Sequence, residues 1–429
     1  MGQLNQRGSA TVASAPVIGA TTAQRAGLLA LIIALTCLSQ FYRVSNSVIA
    51  PELMRELGLS ARDLGLAGAV FFMALFVLQI PVGMWFDRYG PRRTVAALSV
   101  FAIAGALLVA RAGDAFDLIA ARGLIGLGCA ASFMAAVFLC SRWFPPDRLS
   151  TVLSWVFAAA NLGTLAAATP LAWASATIGW RNAFVGLAVL TALVALLFVL
   201  FVRDAPPGQP ATSARRETLA EIGRGLIQVW RTPGLLPLLA VHLFAYATML
   251  TVLGVWAGPY LHDVHGLDTQ ARGRVVLAMG VAQILGLLCY GPLDRVVQSK
   301  RRVVIMGAVL TMSVLTALAA IPHPPLWLAV GLLVTLCLVC AYAIVVVAQG
   351  RALFPDHLAG RGVTTVNLAQ VAGLAILPWG TGISVDAFGL VGGVAPEAAY
   401  RAVFASLVAC NLFGLTVYTA RAPMDAPKP

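Results

Sequence analysis

Apolar residues gather in long runs down the whole chain, each run closed by a short polar or charged break. Runs of roughly 20 residues are what a hydrocarbon core demands of a spanning helix. They predict twelve spans, near 27–48, 64–86, 94–111, 118–140, 150–176, 182–202, 233–257, 273–292, 303–321, 327–350, 362–388 and 402–420. The runs are continuous rather than alternating, which excludes a membrane barrel. The expected fold class is an all-α membrane protein of twelve transmembrane helices.

The pattern also repeats. Pro51 is answered by Pro259 and Gly58 by Gly266, both 208 residues on, and Gly83 by Gly291 at the same offset. Asp87-Arg88 returns as Asp294-Arg295 and Arg92-Arg93 as Arg301-Arg302, at offsets of 207 and 209. Phe144-Pro145 returns as Phe354-Pro355. A nearly constant offset marks a duplication, here two six-helix bundles. The expected boundaries are a disordered tail over 1–24, a first bundle over 25–204, a linker with an amphipathic surface helix over 205–232, a second bundle over 233–421 and a tail over 422–429. The first tail is too polar for a signal peptide, so span 1 is expected to be retained.

Composition changes the picture in one respect. Of 429 residues 60% are hydrophobic and 11% charged, with a net charge of +12, against about 25% charged in soluble domains. In a soluble chain that charge would suggest nucleic acid; here no nucleic-acid partner is expected, because the basic residues border spans and orient them. Twenty of the 29 Lys and Arg residues fall on the side that holds both termini and seven on the other. Both termini are therefore expected in the cytoplasm, with the chain in the inner (plasma) membrane as a monomer.

Seven cysteines (37, 129, 140, 289, 337, 340, 410) all fall in or beside apolar runs, where Cys behaves as a small hydrophobe. Cys337 and Cys340 lack the further ligands and polar surroundings of a metal site. No metal, cofactor or catalytic constellation is expected, and no enzymatic activity.

Charge inside the spans is rare and therefore informative. An Arg at the centre of a span costs about 2.5–3.5 kcal/mol on insertion scales. Arg43 lies well inside span 1, and Thr36, Ser39, Gln40, Asn46 and Ser47 share its helical face. A polar stripe on a spanning helix faces protein or water rather than lipid. With Tyr42, Arg122, Asn161, His242, Tyr246, Tyr342, Asn367 and Gln370, the residues Gln40, Arg43 and Asn46 make the candidate substrate site. A small-molecule substrate is the expected partner, with a co-transported proton or cation as a further candidate.

The loop "GMWFDRYGPRR" resembles the signature loop of the major facilitator superfamily, carried here by Gly83, Asp87, Arg88, Gly90, Arg92 and Arg93. Its second copy is degraded around Asp294 and Arg295. "RGLIGLGCAA" and "WFPPDR" are similar to two further motifs of that family, whereas "LAAATPLAW" lacks the Gly-Pro pair of its antiporters. The resemblance implies a rocker-switch transporter. It also implies that the Asp87 loop latches one side shut against the start of span 11, near Gly362, with Gly83 letting spans 2 and 11 approach. "FYRVSNSVIAPELMRELGLSARDLGL" is similar to span 1 of organic-anion porters, the anion:cation symporters and organophosphate antiporters. That likeness implies that Arg43 binds a substrate carboxylate or phosphate. The expected function is uptake of a small organic anion; the alternatives are a drug or metabolite efflux porter of the same fold and a non-transporting solute sensor.

Overall fold

The computed structural model describes residues 21–207, 227–354, 359–392 and 394–421. The expected tails and most of the linker helix lie outside those residues. Twelve helices are long and apolar enough to span a membrane: Thr22–Leu57, Ala61–Phe86, Pro91–Arg111, Ala115–Trp143, Thr151–Ile178, Trp180–Phe201, Leu235–Asp263, Thr269–Tyr290, Lys300–Ala320, Leu326–Ala352, Thr364–Asp386 and Glu397–Ala420, here spans 1 to 12. Among the described residues there is no strand, only an isolated bridge between Val391 and Val394.

Span 1 is longer than the apolar run predicts. It starts on a capping box, in which Thr21 Oγ1 accepts the Gln24 N–H and the Gln24 side chain accepts the Thr21 N–H. It then runs through Pro51 to a left-handed Gly58. Proline has no N–H for the carbonyl four residues back, so Ser47 O has no helical donor at residue 51. Gly258 of span 7 packs directly on that carbonyl, and its own N–H donates to Ser47 Oγ at 3.2 Å. Four spans are broken in ways the apolar runs do not disclose. Span 4 turns at Cys129–Ala131, span 5 at Ala167 and Ala168, span 7 carries a π-turn over Val252–Trp256, and span 10 a 3₁₀ turn over Cys340–Tyr342.

Connections in the first half are minimal. Gly90 alone separates the helix ending at Tyr89 from span 3, and Gly179 alone separates spans 5 and 6. Their φ angles are 82° and 81°, a backbone that glycine adopts without a Cβ penalty. Asp204, just past span 6, accepts the Arg92 N–H at 2.8 Å and so caps the start of span 3.

The halves meet at the end of the molecule opposite the basic loops. Gly65 of span 2 packs on Pro378 and Gly382 of span 11, where a Cβ on Gly65 would lie 3.1 Å from Gly382 Cα. Thr169 donates to Gly273 O at 3.2 Å. Such close packing needs small residues, as in other membrane helix pairs. At Gly83 an added Cβ would lie 3.4 Å from Met134 Cε of span 4. At the end opposite the basic loops, spans 2 and 11 approach through Gly65 and Gly382.

Candidate functional site

Arg43 lies on the seam between the halves. Its carbonyl faces Gly254 of span 7, where an added Cβ would lie 3.2 Å away. Its guanidinium carbon lies 6.0 Å from the Phe72 ring of span 2, within reach of a cation–π contact. The side chain is half-buried, Nε has no hydrogen-bond partner, and among the described residues Arg43 forms no ion pair. One turn on, Asn46 is 3% exposed with neither amide atom bonded. Buried polar groups in proteins are nearly always satisfied, so this unmet pair on one helical face is a place where ligand atoms would complete the bonding. Gln40 is half-buried a turn before Arg43. Cys129, buried on span 4, lies close enough to Ser39 and Arg43 to border the same face.

Two expected members of the site are turned elsewhere. Arg122, 1% exposed, donates from Nη1 to Tyr42 O at 2.7 Å and from Nε to Ala67 O at 3.5 Å, and stacks 4.6 Å over Phe71. It ties spans 1, 2 and 4 together inside the first bundle. Tyr42 is fully buried, its hydroxyl 2.9 Å from Thr191 Oγ1 of span 6. The reason is angular: Tyr42 and Arg43 are neighbours in sequence, so their side chains leave span 1 in different directions.

The other candidates divide similarly. Asn161 donates to Phe157 O of its own helix at 2.8 Å. Tyr342 is buried in the 3₁₀ turn of span 10 under Gly307 of span 9. His242 is buried within the second bundle, and neither of its ring nitrogens has a hydrogen-bond partner. Tyr246, Asn367 and Gln370 are half-buried on spans 7 and 11. The side chains of Asp87, Asp294 and Arg295 lie outside the described residues, and with them the expected latch. Arg88 and Arg93 are exposed at the basic end.

The structure adds a cluster that sequence reading missed. Glu52 of span 1 accepts with Oε1 from both Thr269 and Arg272 of span 8. The Arg272 side chain is 1% exposed, and its Nε and Nη1, like Glu52 Oε2, have no partner. Both charges sit at the ends of apolar runs, where a reader assigns them to topology. The signal would have been opposite charges on equivalent ends of two spans.

The sequence pattern described as the Major Facilitator Superfamily matches residues 29–378. Curated relatives include the probable sulfoacetate transporter SauU of Cupriavidus necator, 26% identical over 60% of this chain and 62% of that protein. The probable galactarate/D-glucarate transporter GudP of Bacillus subtilis is 26% identical over 65% of this chain and 64% of its own. The match thus spans less than two thirds of these two relatives. The hexuronate transporter of Bacillus subtilis is 25% identical over 85% of this chain and 89% of that protein. Among solved structures, a bacterial homologue of the human lysosomal transporter Spinster, inward-facing and unoccupied, has the same fold. It superposes with a TM-score of 0.80 at 17% identity, over 94% of this chain and 98% of that one. Twelve spans in two bundles, a signature loop between spans 2 and 3 and a family pattern covering most of the length agree: the chain belongs to the Major Facilitator Superfamily.

Proposed function

We propose that the protein is a secondary active transporter that takes up a small carboxylate-type organic anion by rocker-switch alternating access. It sits in the inner membrane with both termini in the cytoplasm, as the excess of basic residues at one end supports. The observation that carries the reading is Arg43: a cation on the seam between two bundles, with an unpartnered Nε and an unpartnered amide one turn away. Repeats that share a membrane place the substrate site at such a seam. Three relatives are named for transport of sulfoacetate, galactarate/D-glucarate and hexuronate, each an organic anion.

The chemistry follows from the residues. A planar guanidinium grips a carboxylate through two parallel bonds, and in a low-dielectric seam that ion pair is stronger than in water. The anion removes the need for water at Arg43, so the loaded halves can close around it. Asn46 offers a donor and an acceptor for a hydroxyl or second acid group.

Thermal stabilisation of the purified protein by sulfoacetate, glucarate and a hexuronate tests this. At least one should raise the melting temperature of wild type. Arg43→Lys should bind it at least about tenfold more weakly, having lost the bidentate fork, and Arg43→Ala should give no shift. Wild-type affinity in Arg43→Ala, or preference for a cation, overturns the organic-anion reading.

A further inference from the structure

The signature loop borders a cavity of about 540 Å³ at the basic end of the first bundle. Arg88, Arg92 and Arg93 face it from the loop and the first turn of span 3, with Tyr89 beside them and Asp204 opposite. Among the described residues, three arginines and one carboxylate line it. That carboxylate is already engaged: its Oδ1 accepts the Arg92 N–H at 2.8 Å. Arg88 lies 5.3 Å from the Tyr89 ring, and Tyr89 is itself exposed, as aromatic side chains are at the headgroup level of a bilayer.

The floor of the cavity is apolar, made by Ala96 of span 3 and Val199 of span 6. The seam between these spans leads into the membrane along exposed apolar side chains. Val100 lies one turn beyond Ala96, and Leu196 one turn beyond Val199, both exposed. A site for a free anion has no use for such a seam. A short loop that only orients the chain needs basic residues but neither cavity nor seam. Basic pockets between spanning helices do accept acidic headgroups, and the arginine fork matches phosphate oxygens.

We infer that this cavity binds the phosphate headgroup of an anionic phospholipid, with Arg88, Arg92 and Arg93 around the phosphate and the acyl chains lying along the seam of spans 3 and 6. Asp204 holds the arginines in place by capping span 3 rather than competing for the lipid. The site is separate from the Arg43 seam and does not depend on the transported substrate.

Native mass spectrometry of the full chain, released from detergent with phosphatidylglycerol or phosphatidylcholine at matched concentrations, reads lipid binding directly. Wild type should retain phosphatidylglycerol in preference to phosphatidylcholine. The double variant Arg88→Gln/Arg93→Gln, both sites exposed, should bind phosphatidylglycerol about tenfold more weakly or less, with phosphatidylcholine unchanged. A control that removes the same charge elsewhere at the basic end, Arg231→Gln/Arg302→Gln, should bind as wild type does. Equal retention of the two lipids by wild type overturns the proposal, as does unchanged binding in the double variant or equal loss in the control. Displacement of phosphatidylglycerol by millimolar inorganic phosphate would assign the cavity to a free anion and overturn the lipid.

Discussion

Arg43 and Arg122 are both intramembrane arginines, yet they answer to different needs. Arg122 spends its donors on the Tyr42 and Ala67 carbonyls and its face on Phe71; Arg43 keeps an unspent donor at the seam. Both carbonyls also accept from their own helices, so the cost of losing these bonds falls on the buried cation. A buried donor left unsatisfied costs about 1–3 kcal/mol, more when charged. Arg122→Lys, which cannot serve two carbonyls with one planar group, should therefore lower the melting temperature of the purified protein by several degrees. Its ligand affinity per folded molecule should stay near that of wild type. Calorimetry with a ligand titration checks both, and a loss of affinity without loss of stability would return Arg122 to the binding site. In the sequence the two residues look alike. Each is a single charge in an apolar run, and a run that is apolar on all sides gives no period from which to read direction. Arg43 stood out because its polar neighbours share its face; Arg122 has no such neighbours to orient it.

Among elements, the junction of spans 1 and 7 decides how tightly the end opposite the basic loops can shut. Pro51 leaves the Ser47 carbonyl without its helical donor, and Gly254 and Gly258 let span 7 lie against it. A Cβ at Gly258 would collide with Ser47 O, so Gly258→Ala should keep the two spans apart. Val255 packs against Gly68 of span 2, 3.2 Å from where a Cβ on Gly68 would be, and so reports on the same junction. In a Val255→Cys background, Gly258→Ala should raise the rate of labelling at residue 255 by a membrane-impermeant maleimide. An unchanged rate would mean that the junction yields elsewhere. The spans themselves were legible, because length and apolarity suffice for them. The π-turn, the 3₁₀ turn and the breaks in spans 4 and 5 were not. Apolarity alone does not mark them, although the break in span 5 falls just before Pro170, which has no N–H for the Ala166 carbonyl. Asp204 capping span 3 across 112 residues is a similar case.

For the whole molecule, Glu52 and Arg272 form a tie between the bundles. Removing one member of a buried pair costs about 3–5 kcal/mol, because the other charge is left without a partner. Glu52→Gln should relieve that cost by letting the halves part and water reach Arg272. Spin labels at Asn182 and Gln270, exposed positions in different bundles on that side, should show a longer distance in Glu52→Gln. Exchanging the charges, Glu52→Arg with Arg272→Glu, should restore the shorter one. An identical distance distribution in all three would show that the glycine contacts alone hold this end closed. Duplication was legible because the offset survives in Pro51 and Pro259, whereas this tie was not, since it joins residues the duplication does not relate.

The two single-glycine joints carry a mechanical consequence. Spans 2 and 3, and likewise spans 5 and 6, are joined with no slack at Gly90 and Gly179. In the second bundle the corresponding joints have more length: Gln298 and Ser299 between spans 8 and 9, and the stretch from 387 to 396 between spans 11 and 12. A bundle whose hairpins have one-residue joints transmits torque as a stiff frame. A bundle with longer joints absorbs strain by internal shear. In the proposed rocker-switch cycle, the first half would be the stiffer member and the second the more compliant one.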